Sequence, residues 1–387
     1  MIQRVFLLLF LLLVLPDWYI YAQYIKKLTK NIWLRILYWM PSLVLFILLC
    51  MMLNGNNFTP ERVHLTGYYM IAYLVLIVPK GIFCLISLLF KLLHFVWKGA
   101  DKAGWIAGCL GAAIFLGILV YGTWQGTTHF QVKQVTFTSS EIPPEFDGYR
   151  IAQFSDLHIG TFAERKDIVE EIVRLINAQH ADLIVFTGDL INNLSTELNG
   201  YQPILSQLKA KDGVYSVLGN HDYSPYYRWK SKRDQQNNLI DLKKREASFG
   251  WKLLNNDHAL LHKKDTCIAL VGVENDGLPP FPEKGDLFLA TQNTEGLFKV
   301  LLSHDPTHWR RKVLPTTDIQ LMLAGHTHGM QFKLGDFSPA SFVYKEWGGL
   351  YMKGKRGLYV NVGLGQVMIP FRFGAWPEIT VITLRRK

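Results

Sequence analysis

Acidic side chains are scarce in the first third of the chain. Residues 1–130 contain 10 Lys/Arg and only 3 Asp/Glu, whereas residues 131–387 contain 31 Lys/Arg and 28 Asp/Glu. The net charge of +10 therefore divides into +7 and +3, and the larger excess lies among Leu, Ile, Val and aromatic residues. A basic excess in an apolar region is typical of membrane flanks. A nucleic-acid domain would concentrate its Lys and Arg in the polar part, so no nucleic-acid partner is expected.

Cysteine is also rare. Only Cys50, Cys84, Cys109 and Cys267 are present, and no two of them have the Cys-x-x-Cys spacing. Neither a zinc ribbon nor a disulfide framework is therefore indicated. We interpret all four as small hydrophobic residues that are buried.

Long apolar runs make up most of residues 1–128, which we interpret as a transmembrane helical region. Four segments, near 3–24, 33–53, 68–97 and 105–124, reach the roughly 20 residues that cross a bilayer core of about 30 Å. Trp and Tyr cluster at their ends, as interfacial anchors do. A cleaved signal peptide is the alternative for the first segment, but no small-residue cleavage site follows it.

The third segment is interrupted by Pro79-Lys80-Gly81, so we expect it to be tilted, kinked or partly interfacial. Lys80 is the only charged residue that we place in the middle of a span. A single such residue does not indicate a transport pathway.

Basic residues are divided unequally between the loops. The first loop and its flanks carry four and the third carries three, whereas the second loop, Asn54–Gly67, carries only Arg62 against Glu61. Those of the first are Lys26, Lys27, Lys30 and Arg35, and those of the third are Lys91, Lys98 and Lys102. The positive-inside rule then places loops one and three in the cytoplasm. With four spans the polar domain lies outside the cytoplasm, and a different span count gives the cytoplasmic alternative.

The rest of the chain alternates strand-like and helix-like segments. Residues 129–148 are interpreted as a linker with a first strand, Gln131–Thr138, and residues 149–387 as one α/β layered domain. The apolar run Leu183–Phe186 predicts a buried strand, which delivers Asp189 to the carboxyl edge of a sheet, where ligands bind. Further predicted elements are strands Arg150–Phe154, Val214–Leu218, Asp257–Leu261, Thr266–Val273, Lys299–Leu302, Ile319–Leu323, Gly357–Asn361 and Glu378–Leu384, with helices Glu164–Gln179, Tyr201–Leu208, Arg233–Phe249 and Asp286–Gln292.

Five short polar signatures follow these strands. They are Asp156-Leu-His158, Gly188-Asp189, Gly219-Asn220-His221-Asp222, Ser303-His304-Asp305 and Gly325-His326-Thr-His328. Carboxylate, imidazole and amide oxygen together suit Mn²⁺, Fe or Zn²⁺, and no thiolate is among them. One such motif alone is usually incidental, and Gly-Asn-His-Asp alone could be only a turn. Five in succession, each after an apolar strand, indicate a metal site.

This order of motifs resembles the calcineurin-like metallophosphoesterase superfamily over residues 149–384. With its apolar N-terminal block the chain is most similar to the bacterial membrane-anchored branch, which includes transmembrane proteins with a metallophosphoesterase domain. Some relatives in this branch hydrolyse UDP-2,3-diacylglucosamine, and others are phosphodiesterases of unsettled substrate. The resemblance implies a four-layer αββα sandwich after a bundle of about four transmembrane helices.

The resemblance also implies roles for the signature residues. Two divalent ions are expected, with manganese favoured over iron or zinc. Asp156, His158 and His328 would hold the first ion, Asn220, His304 and His326 the second, and Asp189 would bridge both. His221 would contact the phosphate and protonate the leaving oxygen, with Asp222 orienting its imidazole.

Physical chemistry supports these roles. Two ions about 3.5–4 Å apart clamp the attacking and leaving oxygens of an in-line displacement, and a hydroxide held between them is a nucleophile at neutral pH. A bridging carboxylate offsets the repulsion between the ions. The leaving group then needs a proton, for which His is the usual donor near pH 7.

Two segments near the predicted site combine aromatic and basic residues. The first, Tyr223–Arg233, offers Arg228, Lys230, Lys232 and Arg233 as candidates to hold a second phosphate. The second, Phe332–Arg356, suits a lipid–water interface with anionic head groups. Single-stranded nucleic acid and ordinary solvated loops are the alternatives for both segments.

The closing segment contains Gly363-Leu-Gly365 and Phe371–Glu378. We expect Gly363 and Gly365 to allow the backbone to approach the metal edge closely. Pro377 is expected to shape the entry to the last strand. No role is assigned to Arg372.

Taken together, the sequence predicts an integral, multi-pass membrane phosphoesterase of bacterial type. It would be a phosphodiesterase that acts on lipid-derived or nucleotide-linked phosphoesters, with membrane lipid as a partner. A nuclease or a protein phosphatase is the second enzyme hypothesis. A non-catalytic membrane scaffold or a transporter that only binds a phosphorylated ligand is the third. The sequence predicts neither the substrate nor the oligomeric state.

Overall fold

The computed structural model describes residues 2–53, 60–162 and 165–387. The start of the predicted second loop (54–59) and of the predicted helix at Glu164 lie outside the described residues. The chain divides into two compact units. The first holds most of the residues up to Trp124 together with Met368–Phe371, and the second holds Gln125–Val367 and Arg372–Lys387.

The first unit is helical. Its helices are α1 (Ile2–Ile20), α2 (Lys26–Leu28), α3 (Ile32–Leu53), α4 (Pro60–Leu92) and α5 (Ala100–Trp124). Within the described residues, four segments are long and apolar enough to cross a membrane: Leu7–Leu28, Ile32–Met51, Leu65–Phe95 and Ala100–Thr128. Most of their large apolar side chains are exposed, as expected of helices whose solvent is hydrocarbon.

A polar cluster joins three of these helices. Lys80 Nζ of α4 lies 2.6 Å from Oδ1 of Asp17, a residue of α1 that is fully buried. Tyr38 and Ser42, both on α3, donate hydrogen bonds to the same carboxylate. The expectation that Lys80 is the only charged residue within the spans was wrong, because Asp17 lies inside the apolar segment Leu7–Leu28 and pairs with Lys80.

Among its described residues, the second unit contains twelve strands and five α-helices. The strands are β1 (Gln131–Ser139), β2 (Arg150–Phe154), β3 (Leu183–Phe186), β4 (Val214–Ser216), β5 (Lys252–Leu253), β6 (Asp257–Lys263), β7 (Thr266–Gly272), β8 (Lys299–Leu302), β9 (Leu321–Ala324), β10 (Gly349–Lys353), β11 (Arg356–Val360) and β12 (Glu378–Arg386). The helices are α6 (Lys166–Asn177), α7 (Gln202–Leu205), α8 (Lys232–Ser248), α9 (Leu287–Ala290) and α10 (Leu314–Thr316).

These strands form two six-stranded sheets. The order is β1-β12-β2-β3-β4-β5 in the first and β10-β11-β9-β8-β7-β6 in the second. Strands β2 to β5 are parallel to one another, as are β7, β8, β9 and β11, while β12 runs antiparallel to β2. Strand β1 pairs with β12 along its whole length, so it belongs to the first sheet.

Alternate residues of the strands build separate cores. Ile151, Leu183 and Val185 pack with Leu270 and Val300 of the second sheet. Residues of the opposite faces pack against helices: α6, α7 and α8 cover the first sheet, and α9 together with Trp309 and Val313 covers the second. Strands β3 and β9 are buried at every residue, which is why their sequences are continuous apolar runs. The predicted αββα sandwich, preceded by four candidate membrane helices, is confirmed.

Candidate metal centre

The polar signatures meet where five parallel strands end. Asp156, Asp189 and Asn220 follow β2, β3 and β4 of the first sheet, while His304 and His326 follow β8 and β9 of the second. Backbone hydrogen bonds fix neighbouring loops to each other, as from Asp156 N to Gly188 O at 2.8 Å and from Gly325 N to His304 O at 2.9 Å. The two sheets therefore contribute to one site at their shared carboxyl edge.

The predicted ligands form overlapping groups of side chains. One consists of Asp156, His158 and His328, and another of Asp189, His304 and His326, with potential ligand atoms within 4.8 Å of one another in each. Asp189 also belongs to a third group, with His158 and His221. Asp189 Oδ2 is 3.1 Å from His304 Nε2 and 3.6 Å from His158 Nε2. Asp189 thus lies between two clusters, where a bridging ligand would be needed.

Buried polar atoms in the site lack partners within the described chain. Asn220 donates from Nδ2 to the Tyr226 hydroxyl at 3.0 Å, whereas its Oδ1 is buried and accepts no hydrogen bond. His304 donates from Nδ1 to Thr187 O at 2.7 Å, and its Nε2 makes no well-aligned hydrogen bond despite its closeness to Asp189. An orphaned amide oxygen, and an orphaned imidazole nitrogen 3.1 Å from the buried Asp189 carboxylate, fit ligands of a cation.

The electrostatics of the buried groups agree with this fit. Burial lowers the pKa of His158, His326 and His328, so these imidazoles are neutral and their lone pairs can bind metal. The pKa of His304 is raised to about 10: burial opposes the shift, but the carboxylates of Asp189 and Asp156 outweigh it. The carboxylates therefore attract positive charge into the site.

The backbone at the ligands is unusual. Five of the seven predicted ligands have φ in the left-handed region: Asp156 (51°), His158 (43°), Asp189 (61°), His326 (74°) and His328 (51°). Only a few per cent of non-glycine residues adopt this conformation, and it concentrates at functional sites. The surrounding sheets hold the chain in this conformation.

Two glycines allow this close packing. A Cβ on Gly363, whose φ is +76°, would meet Asp156 Cβ at 2.6 Å, and one on Gly365 would contact Leu157 O. The predicted close approach of this backbone to the metal edge is confirmed.

His221 lies at the edge of the site. Its Nδ1 is 2.8 Å from Asn192 O, and its ring centroid is 4.7 Å from that of His158. The side chain is only partly buried, so one face of the imidazole remains accessible. This position suits a group that contacts a ligand of the metal cluster.

Asp222 does not orient His221, so that prediction was wrong. Its buried carboxylate accepts hydrogen bonds from the backbone N–H groups of Asp189, Leu190, Ile191 and Gly219, at 2.8–3.3 Å. The hydrogen bond that orients the His221 imidazole goes instead to Asn192 O, because the Asp222 side chain turns toward the Asp189 loop. Burial and the nearby Asp189 raise the pKa of Asp222 to about 7.

Two tyrosines form hydrogen bonds with predicted ligands, and the sequence did not indicate this role for them. The Tyr226 hydroxyl accepts a hydrogen bond from the side-chain amide of Asn220, and the Tyr344 hydroxyl lies 3.0 Å from His326 Nε2. The Phe281 ring packs edge-on against His326, with centroids 4.7 Å apart. The second ligand cluster thus has an aromatic wall. No local spacing could have revealed it, although both tyrosines lie in the segments noted for aromatic and basic residues.

Arg372 also has a place in the site. Its guanidinium is fully buried and donates to the carbonyls of Val362, Gly365 and Ala375, and Nη2 lies 3.0 Å from His328 Nδ1. Burial lowers its pKa to about 10, which still leaves it charged at neutral pH. Arg372, to which the sequence analysis assigned no role, therefore contacts the predicted metal ligand His328.

The four candidate phosphate-binding residues are placed differently. Arg228, Lys230, Lys232 and Arg233 are all exposed, outside the buried cluster. Lys232 and Arg233 begin helix α8, whose N-cap is Ser231. Their loop follows His221 directly and is held by the hydrogen bond from Trp229 Nε1 to Ser224 O at 3.0 Å.

Comparison with known families and proteins agrees with this site. A model described as calcineurin-like phosphoesterase matches residues 149–330, and one described as probable calcineurin-like phosphoesterase, transmembrane domain, matches residues 3–127. A Bacillus subtilis protein named uncharacterized metallophosphoesterase YkuE is 32% identical over 304 residues, which cover 74% of this chain and 99% of that protein.

Another relative spans nearly the whole chain. A Danio rerio protein named transmembrane protein with metallophosphoesterase domain is 27% identical, over 99% of this chain and 90% of its own length. Among solved structures, a dimetal phosphatase from Danio rerio shows 12% identity and a TM-score of 0.33 over 56% of this chain and 88% of its own. The chain belongs to the calcineurin-like metallophosphoesterases, in a form that carries its own transmembrane domain, and it is a phosphoesterase.

Proposed function

We propose that the protein is a membrane-anchored phosphodiesterase with two divalent ions, acting on lipid-derived or nucleotide-linked phosphoesters. The observation that carries the proposal is the position of Asp189 between two groups of buried imidazoles and carboxylates. A phosphodiester is anionic, so its hydrolysis needs concentrated positive charge and an activated water at one place.

The residues divide into two ligand sets. Asp156, His158 and His328 would hold the first ion, and Asn220, His304 and His326 the second, with Asp189 common to both. When bound, the ions supply Lewis acidity that neutralises phosphate oxygens and lowers the pKa of water. Manganese is favoured, because the ligands are oxygen and imidazole without thiolate.

His221 is proposed as the proton donor to the leaving oxygen. Its Nδ1 hydrogen bond to Asn192 O leaves Nε2 available to a substrate. The ring lies against both His158 and Tyr226, with centroids 4.7 and 4.6 Å away, so its plane is fixed. A fixed imidazole at the edge of the site can deliver a proton without first rearranging.

A lipid-linked substrate is supported by the transmembrane unit of the same chain. Exposed Arg228, Lys230, Lys232 and Arg233 would hold a second phosphate or a charged head group. By the loop charges, the catalytic domain is proposed to lie outside the cytoplasm. Reporters that are active on only one side of the membrane can be fused after Lys387 to test this placement. Activity of the cytoplasmic reporter would contradict it.

The decisive experiment measures turnover and metal content together. The full chain in detergent should hydrolyse an aryl phosphodiester with added Mn²⁺, and Asp189→Asn should abolish this activity and lower the bound metal. Asp265→Asn, which changes an exposed aspartate, serves as the matched control. Equal turnover in both variants would refute the site.

The same assay separates the alternatives. No turnover of any phosphoester by metal-loaded protein would favour a scaffold that only binds a phosphorylated ligand. Preferential cleavage of nucleic acid or of phosphoproteins would favour a nuclease or a protein phosphatase.

A further inference from the structure

Large apolar side chains are exposed together in residues 330–343, here called the 330–343 loop. Leu334 is 61% exposed, Phe342 81% and Val343 62%, while Met330 and Phe337 are exposed to 42% and 48%. The rings of Phe337 and Phe342 pack edge-on, with centroids 5.8 Å apart, so the middle and the end of the loop present one surface. Contiguous apolar exposure of this kind marks an interaction site rather than ordinary surface.

The loop is built to hold these side chains in water. Leu334 and Phe337 exchange backbone hydrogen bonds of 2.9 and 3.1 Å, and the buried Ser338 hydroxyl donates to Gly329 O at 2.7 Å. Lys333 N donates to Phe373 O at 2.7 Å, which ties the start of the loop to the closing segment. A rigid loop cannot fold its aromatic residues inward, so their exposure is a property of the fold.

The end of the loop is connected to the metal centre. Tyr344 follows Val343 directly, its backbone N–H donates to Ala340 O at 2.8 Å, and its hydroxyl bonds His326. Thr327, between the two histidines of the last signature, donates to Trp347 O at 2.5 Å. The apolar surface is therefore close in sequence to the predicted ligands, and hydrogen bonds connect the two.

Basic residues accompany the apolar ones. Lys345, Lys353 and Lys355 are exposed, and Lys333 lies with its Nζ 5.7 Å from the Trp347 ring centroid. Of the two acidic residues between 330 and 355, Glu346 is buried and paired with Arg310, which leaves Asp336 alone at the surface. Apolar side chains flanked by lysines match the interface of a bilayer with anionic head groups.

We propose that the 330–343 loop is a membrane-docking surface, which inserts Leu334, Phe337 and Phe342 among the lipids of a bilayer. The occupant is the bilayer because the same chain carries four segments long and apolar enough to cross one. Docking would bring the metal edge, through Tyr344 and His326, to the depth of lipid head groups. The inference goes beyond the proposed hydrolysis and does not depend on it.

Fluorescence quenching in the full chain tests this docking. A small environment-sensitive fluorophore is introduced as an unnatural amino acid at position 342, and the protein is placed in nanodiscs that contain phosphatidylglycerol. Nitroxide-labelled lipid should quench it strongly and aqueous iodide only weakly. The matched control is position 288, where Phe288 is 79% exposed on helix α9, near β6 at the opposite edge of the second sheet from β10.

The order of quenching should be reversed at position 288. A fluorophore at position 334 should behave like that at 342, and because both side chains are exposed, neither replacement disturbs a core. Stronger quenching by iodide than by lipid at 334 and 342 would overturn the proposal. So would equal lipid quenching at 288, since the contact would then not belong to this loop.

Discussion

The Nη2 atom of Arg372 lies 3.0 Å from Nδ1 of His328, the last predicted metal ligand in the chain. The same guanidinium binds three backbone carbonyls of the closing segment, at Val362, Gly365 and Ala375. A fully buried arginine usually faces a carboxylate, but this one faces carbonyls and an imidazole. It therefore fixes the ring of His328 relative to Gly363–Gly365.

We expect Arg372→Lys to weaken metal binding. Lysine keeps the charge but cannot reach three carbonyls and an imidazole at once. Loss of a group that orients a metal ligand typically costs about 10–100-fold in metal affinity or activity. Titration of the metal-free full chain with Mn²⁺ measures the change.

Arg356→Lys is the matched control for this substitution. Arg356 also donates to three carbonyls, those of Val313, Leu314 and Ile319, and it contacts none of the predicted ligands in the described chain. Both variants should lower the melting temperature, whereas only Arg372→Lys should shift the Mn²⁺ titration. An equal shift of the Mn²⁺ titration in both variants would show that Arg372 has only a structural role.

Substitutions at the neighbouring residues His221 and Asp222 should have different effects on activity and on metal content. His221→Gln should slow aryl diester hydrolysis about 10²–10⁴-fold, the usual contribution of a general acid, and leave the bound metal unchanged. Asp222→Asn should lose metal, because an amide offers one acceptor oxygen where the carboxylate now binds four backbone N–H groups. Elemental analysis beside kinetics separates the two. Metal loss in His221→Gln would instead make it a ligand, as its grouping with His158 and Asp189 permits.

The regular part of the fold was predictable because burial leaves a strong local signal. The bounds of β2, β3 and β8 were predicted to the residue, since each is mostly apolar and ends just before a polar signature. The predicted metal ligands could be named for the same reason: each lies two to four residues after the end of a strand. Strand β5 was missed because it has two residues, and β10 because its residues are mostly exposed or half-buried.

Contacts between distant segments could not be predicted in this way. Asp222 binds amides some 31–33 positions earlier in the chain, so the adjacent His221 was a misleading guide to its partner. Tyr344 reaches His326 across a loop, and Asp17 reaches Lys80 from another helix. Such pairs depend on tertiary packing, and a single sequence has no periodicity that reports them.

The ion pair of Asp17 and Lys80 should stabilise the helical unit as a pair. Lys80→Met alone would leave a fully buried carboxylate without its cation, and breaking a buried pair in this way costs about 3–5 kcal/mol. Adding Asp17→Asn should recover most of that loss, because the amide is neutral and can accept a hydrogen bond from one of the Tyr38 and Ser42 hydroxyls while it donates to the other. Unfolding in detergent, followed by helical circular dichroism, measures both variants. Additive losses in the double variant would show that the two residues act independently.

The last prediction concerns Glu246, which lies on helix α8 with 1% of its surface exposed. Its carboxyl accepts a hydrogen bond from Ser216 Oγ at 2.6 Å, while Oε1 has no partner in the described chain. Burial, reinforced by Asp222, raises the pKa of Glu246 to about 8, from an ordinary value of 4.5. Between these two values the folded protein keeps a proton that the unfolded chain has released.

Stability should therefore fall as pH rises through that window. Unfolding releases the proton, so the free energy of unfolding decreases with pH from about 4.5 to about 8 and is constant outside it, as far as this group is concerned. Glu246→Gln removes the proton and its pH dependence. The melting temperature of the variant, relative to that of the native chain, should rise from pH 5 to pH 8 and level off above. Glu295→Gln, at an exposed position, should show no such trend, and a difference for Glu246→Gln that is independent of pH would contradict the raised pKa.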